Sequence, residues 1–238
     1  MASDLDETQD RITWCGNRSL TLSAQIDQFI ISGAYHISHE VDADSGDGTF
    51  YVQLVKKIPS DFRIEAGSIV HELRATLDNL ACVLAIRNGK SAQNTYFPIS
   101  RSLAIFEDDG IKRKLRNLSD ADRETIATFK PYDGGNQLLF SLHACDLVRK
   151  HQRLIASSSG IKRFALGEAR ITSLALLGAS TITEKRQPFA RVGKGSYIDL
   201  SVGIDLSLSE PEFIRGRPVS TVLSDFTRHV QAIVGIFT

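Results

Sequence analysis

The chain lacks an excess of charge of either sign: its 238 residues carry 28 lysines and arginines against 28 aspartates and glutamates. With no whole-molecule field to draw it onto nucleic acid or an anionic membrane, any such contact has to run through a local patch. Cysteine is scarce. The three residues Cys15, Cys82 and Cys145 are widely spaced and include no CxxC pair, which argues against a disulfide framework or a zinc ribbon and leaves free thiols as the expectation. Long apolar runs are missing as well, since stretches such as Leu80 to Ile86 and Ile171 to Ala179 fall well short of the ~20 residues of a membrane span. The opening MASDLDETQD is acidic and polar where an export signal needs a basic start and an apolar run. A cytoplasmic protein with no membrane partner is expected. Internal repeats and low-complexity linkers are absent too.

What is present is the composition of an ordinary globular protein, 42% hydrophobic and 24% charged, long enough to bury one sizeable core. Residues 1–11 have no apolar periodicity and are expected as a mobile tail, ahead of a single α+β domain over 12–238. Leu22, Ile26, Phe29 and Ile30 recur at helical spacing within 19–35. The β-rich runs 36–41 and 49–58 flank DADSGDG, whose Asp and Gly residues suit a hairpin turn. Pro59-Ser60-Asp61 starts, and Asn88-Gly89 stops, a long helix over 62–87. Residues 103–118 are expected as one or two short helices broken near Gly110. Ser119 and Asp122 form a capping pair for a helix to about Phe129, which Lys130-Pro131 ends. A helix over roughly 136–155 completes a helix-rich stretch, 60–156. Alternating β-formers punctuated by glycine fill 161–208, and Val222, Phe226, Val230 and Ile233 mark a last helix over about 220–234. The expected architecture is α+β, a helical layer packed against an antiparallel sheet whose strand order cannot be read from the sequence.

Chemistry concentrates on two of these helices. His71, Arg74 and Asp78 stand at i, i+3 and i+7, within about 60° of one another around a helix, beside the apolar face of Val70, Leu73, Leu77, Leu80 and Leu84. His143, Asp146 and Lys150 repeat that spacing, flanked by Arg149 and His151. Leu138, Leu139, Phe140, Leu142, Leu147 and Val148 surround the second helix almost completely, so its polar residues need partners. The pairs expected are Asp146 with Arg74, and Asp78 with Arg149 or Lys150.

Two readings follow. In one, the residues are a structural ion-pair network that fixes how two helices dock, and the protein is a non-catalytic binding or homo-oligomer-forming molecule. In the other, they converge on a pocket of a phosphate- or nucleotide-directed hydrolase or nuclease. There His71 and His151 exchange protons near neutral pH, Arg74 and Arg149 bind an anion with Lys150 and His143 beside them, and Asp78 and Asp146 orient. The substrate would be a nucleic acid or a nucleotide. No cofactor is identified, and no metal ligand set is expected.

The segments His71-x-Leu73-Arg74-x-x-Leu77-Asp78, Phe97-Pro98-Ile99 and Asp146-x-x-Arg149-Lys150-His151 resemble an uncharacterised bacterial protein family with H-x-L-R-x-x-L-D, F-P-I and D-x-x-(R/K)-K-H segments. The resemblance covers about residues 60–155 and implies no particular reaction. The helical part also resembles the HEPN class of helical nucleotide-binding proteins and ribonucleases, whose signature is an Arg followed by four to six residues and a His. No histidine here has an Arg five to seven positions before it, so that class's catalytic residues do not carry over.

The remaining motifs are weaker. His36, His39 and Glu40 alternate across a strand and so would not share one ion. DADSGDG lacks the glycine and glutamate of an EF-hand loop. Gly193-Lys194-Gly195-Ser196 lacks the leading glycine of a Walker loop. Cys145 sits two residues after His143, pointing away from it, and GxSxG and HExxH are missing.

Overall fold

The structure, a computed structural model, describes residues 4–151, 158–177, 182–208 and 210–238, with the side chains of 149–151, 158–159, 161–167 and 199–201 outside the described residues. Leu5, Thr8, Ile12, Cys15, Ser19, Leu22 and Ile26 recur at alternating spacings of three and four residues, and all seven are buried. That stripe makes residues Asp6–Phe29 one helix, α1. The expected mobile tail is thereby corrected from Asp6 onward. Thr8 and Ser19 are polar but small, and each has its hydroxyl bonded, to Asn79 and to the Cys15 carbonyl, so the stripe packs without being apolar throughout. A wider helical turn, Ile30–Ala34, ends at Gly33 in the left-handed region, φ 81°.

The hairpin follows as expected, β1 (Tyr35–Val41) and β2 (Gly48–Leu54). Asp42 closes its turn, accepting from the backbone N–H of Asp44 and Ser45 and from the Ser45 hydroxyl, and these bonds hold its carboxyl below the usual aspartate range. The long helix α2 spans Ser60–Arg87 and stops at Asn88 and Gly89, φ 67°. It packs against α1. Leu73, Leu77, Leu80 and Leu84 are buried along it, each contributing roughly 1.5–3 kcal/mol.

Helix α3 (Leu103–Ile105) runs into a π-type coil over Phe106–Lys114, so the expected break at Gly110 is corrected: the helix passes through that residue. A Cβ at Gly110 would lie 3.0 Å from a Phe106 ring carbon and 3.1 Å from the Pro98 Cβ, so the glycine is there for close approach. Helix α4 (Asp120–Thr128) carries the expected cap, Ser119 accepting from the Asp122 N–H and donating to its carboxylate. Helix α5 covers Gln137–His151.

The strand-rich part supplies β3 (Ser158–Arg170), β4 (Leu174–Leu176), β5 (Gln187–Val192) and β6 (Tyr197–Ser207), and helix α6 (Val219–Gly235) closes the described chain. One antiparallel sheet has the order β1-β2-β5-β4, and β3 pairs with β6 in a separate antiparallel ribbon. The fold is α+β. Its apolar burial has two centres, one among the helices and one on the sheet around Phe50, Val52, Phe189 and Val192. Strand β6 joins them: Val202 and Ile204 pack on the sheet cluster, while Leu206 and the following Leu208 enter the helical core. Val202, Ile204 and Leu206 stand at even positions of β6 and therefore share one strand face. Among the described residues no helix is long and apolar enough to cross a membrane.

Candidate functional site

The polar stripe of α2 and the polar residues of α5 meet where those helices pack. Asp146 is drawn inside because α5 is apolar on nearly every side, and its side chain keeps only 4% of its surface exposed. A carboxylate so far from water needs a donor. His71 Nδ1 provides one at 2.8 Å from Asp146 Oδ1, while the His71 side chain stays 45% exposed. With Nδ1 donating, the neutral ring presents Nε2 as its acceptor.

Three residues along the stripe the environment changes. Arg74 is only 11% exposed. Its Nη1 donates to Asp78 Oδ1 at 2.7 Å, its Nη2 to the Phe97 carbonyl at 2.8 Å, and its Nε lies 3.5 Å from His143 Nδ1. Asp78 Oδ1 also accepts the Phe97 N–H at 2.9 Å. The Arg74–Asp78 pair thus takes both backbone polar groups of Phe97 as a neighbouring strand would. Phe97 and Ile99 are buried in the helical core, and Pro98 between them has no N–H to satisfy. The strap is held at its other end by Ser100, which receives a backbone bond at its carbonyl from Asp133 and gives one to Pro131.

Two expected pairings are therefore to be corrected or set aside. Arg74 is directed to Asp78 and Phe97 in place of Asp146, because a partner four residues on along the same helix is already within reach. Asp146 is paired with His71. Asp78 has its bonds from Arg74 and Phe97, and the side chains of its other expected partners, Arg149 and Lys150, lie outside the described residues. The same holds for His151, whose backbone closes α5. His143 is brought to Arg74. So the structure joins His71, Arg74, Asp78, His143 and Asp146, and adds the Phe97 backbone. The F-P-I segment was visible in the sequence as part of a resemblance, but nothing in it signals that its main chain is the group being held.

Cys145, next to Asp146, is buried, and burial followed by the neighbouring Asp146 charge pushes its thiol up to about 12; such a thiol is not a nucleophile at neutral pH. His39 stacks on Phe50 with ring centroids 4.4 Å apart. Among the described residues no three His, Cys, Asp or Glu side chains gather as a metal site.

Comparison of the chain with protein-family models, curated proteins and solved structures finds no match.

Proposed function

We propose that the protein is a hydrolase acting on a phosphate-containing substrate, a nucleotide or a nucleic acid, with His71 as the proton-transfer group and Asp146 as its orienting carboxylate. The observation that carries the reading is the dyad itself, a buried carboxylate bonded to Nδ1 of a ring that stays open to solvent. This is the relation of an orienting carboxylate to a general base. His71 Nε2 takes the proton of an attacking water or hydroxyl, and Asp146 stabilises the imidazolium that results. His151 is the second proton-transfer group in this proposal, and Arg149 and Lys150 the anion-binding ones. Arg74 and Asp78 become positioning residues that hold the strap over α2. A bacterial, cytoplasmic setting is the one the proposal assumes.

The test is incubation of the purified protein with labelled RNA, single-stranded DNA and nucleotides, with and without a divalent metal, beside His71→Gln, Asp146→Asn and His151→Ala variants shown to be folded. Cleavage that falls about 10²–10⁴-fold in His71→Gln supports the assignment. Turnover unaltered by His71→Gln, or no turnover of any substrate, removes it.

A second reading has its own observation. The clamp on Phe97 is structural, and the edge strand β4 with its neighbours exposes Ile171, Leu174, Leu176 and Leu177. These suit a binding or homo-oligomeric protein whose partner surface lies on the strand-rich half. Sedimentation at several concentrations distinguishes the two: a stable oligomer broken by Leu176→Lys, in a chain without turnover, selects this one.

A further inference from the structure

A groove lies between the start of α2 and the loop leading into β5, apart from the arrangement just described. It encloses about 810 Å³, within the range of small-molecule sites. Lys57, Arg63 and Lys185 line it against one carboxylate, Glu184. Among the described residues none of the three cations has an ion pair or a side-chain hydrogen bond. Their sequence neighbours differ: Lys56 bonds Ser32, while Arg186 pairs with Glu40 and covers the Tyr51 ring at 3.6 Å. Arg63 is also half-buried, and a guanidinium removed from water without an anion is unfavourable.

Beneath the groove a narrow cavity of about 10 Å³ shares Ile58 and Arg63 with it and reaches Ser207. The Ser207 hydroxyl is buried, the residue 2% exposed, and has no hydrogen-bond partner among the described residues. Helix α2 begins beside the groove behind Pro59, with no side chain capping its first N–H groups, although Asp61 in its first turn offsets part of that positive end. Leu54, Ile58 and Ile182 form the apolar wall.

We propose that this groove binds an organic monophosphate, the phosphate at Arg63 between Lys57 and Lys185 and the organic part against Leu54, Ile58 and Ile182. Arginine gives the phosphate paired donors, and the flanking lysines supply charge. The site is independent of the His71 dyad. The test is calorimetric titration of the full chain at low salt with adenosine monophosphate, inorganic phosphate and citrate, repeated on Lys57→Gln/Lys185→Gln, Arg63→Gln and, as a control at the opposite end of α2, the exposed Lys90→Gln. Both lysines are exposed, so the double variant should fold even where Arg63→Gln does not. The expected result is saturable binding of the monophosphate, weaker for phosphate alone, about tenfold weaker or more in the double variant and unaltered in Lys90→Gln. Absence of saturable binding up to about 10 mM, equal affinity in the double variant, or citrate binding as well as the monophosphate overturns the proposal.

Discussion

Replacing Arg74 with methionine keeps the aliphatic stem and removes the guanidinium, and the structure sets what that costs. The Phe97 carbonyl loses its 2.8 Å donor in a segment whose side chain is fully buried; an unsatisfied buried acceptor costs about 1–3 kcal/mol. Asp78 loses its 2.7 Å partner but keeps the Phe97 N–H and a third of its surface in water, so its share is smaller, about 1 kcal/mol. The sum is about 2–4 kcal/mol, which for a chain of this length lowers Tm by roughly 5–12 °C. Asp78→Asn should cost less, because the amide oxygen still accepts from both groups. Urea unfolding of wild type, the two single variants and the double variant gives the coupling between the two charges, expected at about 0.5–1 kcal/mol. A value for Arg74→Met within about 0.5 kcal/mol of wild type, the ordinary range of surface changes, would refute the clamp.

His229 on α6 is half-buried, its Nε2 2.9 Å from the Asn136 amide, and burial lowers its pKa below the usual 6.5. Below that value the unfolded chain takes up a proton that the folded chain resists, so stability should decline as pH falls from about 7.5 to 5; in His229→Gln the urea midpoints at those two pH values should differ less. The thiols of Cys15 and Cys145 are pushed up to about 12, chiefly by burial, with Glu72 and Asp146 adding to it. A thiol reagent at about pH 8 should therefore label the partly exposed Cys82 first and reach the other two only as the chain unfolds; fast labelling of all three would contradict their burial.

The long helix α2 is legible because every local signal agrees: a proline entry, apolar residues every three or four positions and an Asn-Gly exit. Only half of α1 is, since the buried stripe of its first turns includes Thr8 and Ser19, polar residues that a hydrophobicity pattern does not count. Gly110 misleads for a related reason. Glycine marks a helix break when its backbone freedom is used and a close contact when its missing Cβ is used, and the difference lies with Phe106 and Pro98, residues that sequence spacing does not place against it. At the site, residue identities are legible from the i, i+3, i+7 spacing, whereas partners are not. Arg74 had a choice between a carboxylate on α5 and one four residues along its own helix, and the Phe97 strap, remote in sequence, selects the local one by offering both of its backbone groups.

One stripe of α2 consequently serves two purposes, and burial along it separates them. At the 74–78 end the strap covers the helix, and Arg74 Nη2 and Asp78 Oδ1 are taken up in fixing the Phe97 backbone, which could not otherwise be buried. At position 71 the strap no longer reaches, and the ring is fixed from one side only, by a carboxylate that α5 holds in its apolar face. A group bonded on one edge and open on the other is able to exchange a proton without loosening the core, whereas Arg74 or Asp78 would have to release the strap to meet a ligand. The proton transfer proposed for this surface therefore falls to the His71 end, where Asp146 holds the ring.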